Sequence, residues 1–327
     1  MDTPIADTPV ASPANPPALL KERSRSRRRW LFPRAADVFV LPYVLFLLAF
    51  GIGPGIYALV LSFSSFANGT PQYFAAGLQN FVTAFTDFRF GTAFANVFQF
   101  LIISLPFGVI GVTAIALLLH ARTGWFSHVM RTIYFLPGAV AGPTVVLLAL
   151  FMCDPQVSPF RGIFALFHMQ TIVDVIQPSH IPLLFTLLGF FVGAGGWIAI
   201  FYGGLQGISH ELLEAAIIDG ANGWQMAIWV KLPLIWRYVI YLFILTFAGN
   251  IQIFTEPQII SVSFSLFGFS TISPYWSPNQ LSYFFAFSIG NFGAAAAISL
   301  LMVAIGLAGA TLIIRATGFF RTDATAN

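Results

Sequence analysis

IPLLFTLLGFFVGAGGWIAIFYGGL, residues Ile181–Leu205, carries no charged side chain in 25 positions. A helix crossing the hydrocarbon of a bilayer needs about 20 mostly apolar residues, so this stretch is long enough to span one. Its apolar run is continuous, whereas a membrane β-strand alternates apolar and polar residues over about ten positions. Five further stretches read the same way: Val38–Phe63, Ala93–Leu119, Tyr134–Met152, Tyr238–Thr255 and Phe285–Ile314. The sequence therefore predicts an all-α membrane protein of about six transmembrane helices. Composition agrees. Of 327 residues, 57% are hydrophobic and only 8% charged, against roughly a quarter charged in soluble domains. So few charges could not cover a water-facing surface, and lipid needs no such cover.

The loops orient the spans. Lys21, Arg23, Arg25, Arg27, Arg28, Arg29 and Arg34 precede the first, Arg122 and Arg131 fall between the second and third, Lys231 and Arg237 between the fourth and fifth, and Arg315 and Arg321 follow the sixth. This puts 13 of the 15 basic residues on one side, leaving Arg89 and Arg161 on the other. By the positive-inside rule the basic side is cytoplasmic and both termini lie inside. The first twenty residues are rich in Pro, Ala and Asp with no apolar core, which predicts disorder. The chain divides accordingly into a disordered basic segment 1–36, a transmembrane domain 37–315 with a cytoplasmic loop 206–237, and a cytoplasmic tail 316–327. The apolar part of a signal peptide is 7–15 residues long; Val38–Phe63 is longer and reads as an uncleaved first helix. An Arg-rich run can bind nucleic acid, but directly before a span it reads as an anchor at anionic lipid heads, with membrane lipid and no nucleic acid as its partner.

Of twelve acidic residues only Glu256 falls at the edge of a span. Ion-coupled transporters and pumps use buried ionisable relays, so energy must reach this chain from elsewhere. Cys153 is the single cysteine, which excludes an internal disulfide, and the five histidines pair at no i, i+4 spacing. No metal site is expected. Gln99, Ser104, Asn250 and Gln252 are polar but uncharged within spans, and each requires another helix or a wet cavity. They read either as helix–helix hydrogen bonds or as a lining for a hydroxylated solute. Gly189, Gly193, Gly195 and Gly196, and the run Gly290, Gly293, Ala294–Ala297, read as close helix packing. Pro54 between two glycines predicts a kink. Pro274-Tyr275-Trp276 reads as an interfacial aromatic belt, though such rings also stack on sugars.

The stretch Gln206–Arg237 is more than a connector. It reads Glu211-Leu-Leu-Glu214-Ala215-Ala216-Ile-Ile-Asp219-Gly220-Ala221 and continues to Lys231-Leu232-Pro233. Ser209 can cap a helix whose first turn holds Glu211. Leu213 with Ile217, and Leu212 with Ala216, share faces four residues apart. Gly220 suits a left-handed helix end, a second helix can run from about Asn222 to Val230, and Pro233 argues against helix near Leu232. The residues leave two readings open: an amphipathic block resting on headgroups, or a knob docking into another cytoplasmic protein.

Glu214-Ala215-Ala216, Asp219-Gly220-Ala221 and Leu232-Pro233 resemble the EAA motif of permeases in binding-protein-dependent ABC importers, and the Asp-Gly-Ala form resembles the carbohydrate branch, which includes glycerol-3-phosphate permeases. Arg131-Thr-Ile-Tyr-Phe-Leu-Pro137, Gly77-Leu-Gln-Asn80-Phe81 and Gly293-Ala-Ala-Ala296 resemble other pieces of that branch in the same order. The resemblance covers about Leu41 to Ile314, and the start Leu41-Pro42 to Ser62-Phe63 is similar to the maltose/glycerol-phosphate first-permease type. It departs where Met226, Ala227 and Trp229 stand in place of the usual Phe and Arg, and where Phe254–Pro278 lacks a Gly-rich run. The resemblance implies a type I ABC importer permease, a transport subunit and not an enzyme, for a sugar or a glycerol-phosphate-like solute. It implies ATPase coupling through the eight motif residues; Asn250, Gln252 and Glu256, polar groups in and at the edge of the fifth span, are the candidate solute contacts. Its implied partners are a second permease subunit or a second copy, an ATP-binding cassette ATPase dimer and an extracytoplasmic solute-binding protein, in the cytoplasmic (inner) membrane of a bacterium or archaeon. The chain has no Gly-x-x-x-x-Gly-Lys-Ser/Thr pattern, so it binds no cofactor of its own, and ATP and Mg belong to the ATPase partner. The alternatives are a secondary transporter or channel, an intramembrane enzyme, or an ABC permease for a non-sugar solute.

Overall fold

A computed structural model describes residues 35–67, 70–122, 124–140, 142–266, 268 and 272–318. The basic run Lys21–Arg34 and the tail from 319 onward, with Arg321, lie outside the described residues. By contacts the chain divides into Met1–Gly53 and Pro54–Asn327. The described part of the first unit is helical: α1 (Ala35–Phe46), then a π-helical stretch Leu47–Ile52, with α2 (Gly53–Ser62) following. Where a kink was expected at Pro54, a π turn precedes the proline, and the Gly53 amide donates to the Leu48 carbonyl five residues back.

In the larger unit, β1 (Ser65–Ala67) and β2 (Thr70–Gln72) form a small antiparallel hairpin that the sequence did not suggest. After α3 (Gln79–Thr86) comes α4 (Phe88–Ala121), 34 residues with Pro106 inside. Asp87 caps α4: its carboxylate accepts from the Arg89 amide at 2.8 Å and from the Arg89 guanidinium at 2.8 and 2.6 Å. These bonds hold the Asp87 carboxyl below the usual carboxylate range. Next are α5 (Trp125–Phe135), a 3-10 turn Leu136–Ala139, α6 (Gly142–Cys153), α7 (Arg161–Leu166) and α8 (Ile172–Val175). Then come α9 (Ile181–Gln206), α10 (His210–Ile218), α11 (Gly223–Gln225), a π stretch Met226–Lys231, α12 (Leu232–Leu234), α13 (Trp236–Asn250), α14 (Thr255–Leu266), α15 (Pro278–Phe287) and α16 (Phe292–Thr317).

Among the described residues five helical stretches are long and apolar enough to cross a membrane: Val38–Ser62, Phe88–Ala121, Ile181–Gln206, Trp236–Leu266 and Phe292–Thr317. A sixth is present if Trp125–Ala139 and Gly142–Cys153, bent by 107°, count as one. The third expected span, Tyr134–Met152, corresponds to this bent pair, whose first helix starts earlier than Tyr134. The sixth starts later than expected. Gly290, at φ +75°, takes a left-handed conformation, and Asn291 caps α16 by accepting from the Ala294 amide at 3.0 Å. Phe285 accordingly belongs to a separate helix.

The core is built on α4 against α9, with α5 and α13 packed beside them and α15 against α16. Ala294–Ala297 are all buried, Ala294 and Ala295 in one cluster with Leu281 and Phe285 of α15, where Ser282 Oγ donates to the Ala295 carbonyl at 2.9 Å. Asn80 is buried and its amide nitrogen donates to the Ser62 and Ser64 carbonyls, each at 2.8 Å. That amide would collide with a Cβ at Gly293, which explains a glycine there. Much of the outer surface is Phe, Leu, Ile and Val, as lipid contact requires.

Two further expectations are corrected. Trp276 is not a belt residue. It is 5% exposed, its ring meets Phe185 edge to face at 5.1 Å, and its carbonyl accepts from Asn96 at 3.1 Å. Tyr275 packs beside Arg89, whose guanidinium lies 4.5 Å from the Phe284 ring centroid and 5.5 Å from that of Tyr275. Gln99, expected to face a helix or cavity, lies on an exposed face of α4.

Candidate functional site

Span five is interrupted. Helix α13 ends at Asn250 and α14 begins at Thr255, with a non-helical stretch between. Irregular backbone at membrane depth persists only where it is buried in protein or lines a cavity, and here it does line one. Asn250, Gln252 and Glu256, neighbours in sequence around the break, share a cavity of about 200 Å³ with Phe100, Phe185 and Phe254. A second cavity of about 210 Å³ adjoins it, shares Asn250, Phe100 and Phe185, and continues along α4, α9 and α13 past Ser104, Thr186 and Trp197.

The local bonds give each polar group its direction. The Asn250 side-chain amide donates to Ser104 Oγ at 3.0 Å, bridging α13 to α4. Gln252 is exposed; its side-chain amide nitrogen donates to the Ala248 carbonyl at 3.3 Å, while its backbone carbonyl accepts from the Asn279 side chain at 2.7 Å. Glu256 stands half-buried in the first turn of α14. Of the polar span residues, Ser104, Asn250 and Gln252 come together and Gln99 does not. The chemistry available is hydrogen bonding between aromatic walls. Among the described residues no group of three His, Cys, Asp or Glu side chains could hold a metal.

The glycines of α9 play two parts, of which the sequence suggested only packing. Gly195 abuts the backbone of Tyr134 and Phe135 in α5. Gly189 and Gly193 have open space where a Cβ would stand, and both line the second cavity. The legible signal was their shared face, since 189, 193 and 196 recur at helical spacing.

The loop 206–237 folds into a compact block. Helix α10 starts after Ser209, whose side chain makes no capping bond. At its other end the Gly220 amide donates to the Ile217 carbonyl at 3.0 Å, and the Ala221 amide to that of Ala216 at 2.9 Å. Gly220 has φ +85°. This pair of bonds around a left-handed residue is a Schellman motif, and it gives Ala216, Gly220 and Ala221 a structural reason for their spacing. Asn222 opens the next turn at once: the Gln225 amide donates to Asn222 Oδ1 and the Asn222 amide to Gln225 Oε1, both at 2.9 Å. A helix stop and a helix start back to back make a rigid elbow. Glu214, Ala215 and Asp219 are exposed on it. So are Ile217 and Ile218, with Trp224 74% and Trp229 76% exposed.

Pro233 does not end the helix as expected. Leu232 and Pro233 open α12 directly after the π stretch, where the Leu232 amide donates to the Ala227 carbonyl five residues back. The wider π turn gives the ring room that an α-helix denies it, the same arrangement seen before Pro54.

No family model matches the chain. The arabinooligosaccharides transport system permease protein AraP of Bacillus subtilis is 24% identical over 88% of this chain and 90% of that protein. The multiple sugar-binding transport system permease protein MsmF of Streptococcus mutans is 25% identical over 81% of this chain and 89% of its own. In structure, a chain of a bacterial alginate ABC transporter, solved in complex with an alginate pentasaccharide-bound periplasmic protein, superposes with a TM-score of 0.67 at 19% identity, covering 86% of this chain and 92% of that one. The resemblance read from Glu214 to Pro233 thus extends over most of the molecule: this multi-pass membrane protein is similar along most of its length to permease proteins of sugar transport systems, and its fold is that of a chain of the alginate ABC transporter.

Proposed function

We propose that this chain lines the transmembrane pathway of an ATP-driven importer for an oligosaccharide or related hydroxylated solute. The observation that carries the reading is the break in span five, which turns Asn250, Gln252 and Glu256 onto a cavity walled by aromatic rings. Sugars present hydroxyls at their edges and C–H faces between them, so amide and carboxylate partners flanked by rings suit them. The relatives' sugar names and the saccharide-loaded partner of the alginate transporter support the same solute class.

The exposed block 206–237 is the coupling element. Tryptophans are over-represented among residues that dominate protein interfaces, and Trp224 and Trp229 stand out beside Glu214 and the Asp219-Gly220-Ala221 turn. A separate ATPase dimer holding ATP and Mg grips this block, Glu214 by charge-assisted hydrogen bonds and Gly220 by its turn. The domain acts as a two-state rigid body together with a second permease chain or second copy, and a solute-binding protein feeds it from outside. The location is the cytoplasmic (inner) membrane with both termini inside. Supporting this orientation, His120 at the end of α4 touches Lys231 of the block, while Arg89 stands at the other end of α4, about 50 Å away along a 34-residue helix.

Uptake of labelled oligosaccharides into proteoliposomes holding the whole complex tests this. Asn250→Ala is expected to raise the apparent KM about tenfold, the equivalent of one lost hydrogen bond of about 1.4 kcal/mol, with unchanged amounts of assembled complex. Uptake that persists without ATP, or a KM indifferent to Asn250, Gln252 and Glu256 alike, would refute the reading.

A further inference from the structure

Lys231 is 8% exposed, and a lysine is almost never so buried unless paired. Its partner is an imidazole: Nζ lies 3.0 Å from Nδ1 of His120, in the last turn of α4. An ammonium can only donate, so with Lys231 charged Nδ1 is the acceptor and the imidazole proton sits on Nε2. The ring also meets Tyr202 of α9 edge to face at 5.7 Å. Arg131 of α5 lies 3.9 Å from the centroid of that tyrosine. Burial pushes the Lys231 ammonium below the ordinary lysine value.

This contact joins the block to the membrane helices at a point remote in sequence. An apolar side chain would fill the same space without the cost of burying a charge. What the ammonium adds is direction, because one hydrogen bond to one ring nitrogen fixes how the π stretch sits on α4. The same helix carries Ser104, about 24 Å along its axis from His120 at 1.5 Å per residue, and Ser104 holds Asn250 at the solute cavity.

We propose that Lys231 and His120 are positioning residues that lock the coupling block to α4, so that movement of the block reaches the cavity through α4 as well as through the chain leading into α13. The proposal rests on the importer reading above. Its test measures uptake and ATP hydrolysis together in the reconstituted complex. Lys231→Met keeps the volume and loses the donor. ATP hydrolysis is expected to stay near the wild-type rate, while solute moved per ATP falls about tenfold, within the usual range of coupling between sites. His120→Gln, whose amide oxygen can accept from Nζ, is expected to keep most of the coupling. The double variant Lys231→Met/His120→Leu removes charge and partner together and is expected to fold normally yet remain uncoupled. Normal coupling in Lys231→Met or in the double variant would overturn the proposal, as would a loss in His120→Gln equal to that in Lys231→Met. A wild-type complex that moves solute with no ATP hydrolysed would instead bring down the importer reading, and this proposal with it.

Discussion

Gly220→Pro is expected to abolish ATP-driven uptake while the amount of inserted protein stays at the wild-type level. Proline holds φ near −65°, and Gly220 sits at +85°. The substitution also removes the amide that donates to the Ile217 carbonyl at 3.0 Å. Both halves of the Schellman motif are lost, so the chain leaving α10 is redirected and the Asn222 capping box no longer faces it. Glu214 and Trp229 would then cease to form one surface. Membrane insertion should survive because Gly220 is exposed, with open space around it, and lies outside every span. Quantitative blotting of membranes beside an uptake assay checks both halves. Normal uptake at normal protein level would show that the elbow carries no force.

The largest effect on the fold is expected from Gly195→Val. A Cβ at this position would land on the Tyr134 carbonyl and 2.6 Å from the Phe135 Cα. These are backbone atoms, so no rotamer change can relieve the clash, and α5 and α9 must separate. Overpacking costs about 1–3 kcal/mol even where side chains can shift, and a separation of two backbones lies at or above the top of that range. Monodisperse protein recovered in mild detergent should fall to a small fraction of wild type. Gly193→Ala is the matched control, since nothing stands within 4 Å of its added methyl. A full yield from Gly195→Val would mean that these helices do not meet as closely as the structure has them.

The two glycines show what could be read in advance. The apolar runs at Ile181–Leu205 and elsewhere announce spans because length and polarity alone decide whether a helix can sit in lipid. The left-handed turn at Gly220 is similarly local and is legible from Glu214 to Ala221. The partition of the α9 glycines is not, because whether a missing Cβ receives a neighbour or leaves a cavity depends on α5 and α4, far away in sequence. Trp276 fails for the same reason: beside Pro274 and Tyr275 it resembles an interfacial ring, and only Asn96 and Phe185, each some 90 or more residues distant, draw it inside. The break after Asn250 left one trace, the clustering of Asn250, Gln252 and Glu256 at the edge of a span. Polarity alone marks those residues in the sequence, while the backbone interruption that gathers them has no signature in glycine or proline within 251–254.

The π stretch between Met226 and Lys231 gives the motif's fixed spacing a meaning in angle. An α-helix turns about 100° per residue, and a π turn in effect accommodates one residue more than α-helical winding would need. Six residues at π winding turn through nearly the same angle as one residue fewer at α winding, so losing one residue within Met226–Lys231 would let the segment wind as an α-helix and leave the bearing of the elbow about the axis leading into α13 almost unchanged. The π stretch therefore works as a slack link: it takes up one residue between Asp219-Gly220-Ala221 and Leu232-Pro233 without turning the elbow, and that slack is what admits Pro233 directly after it.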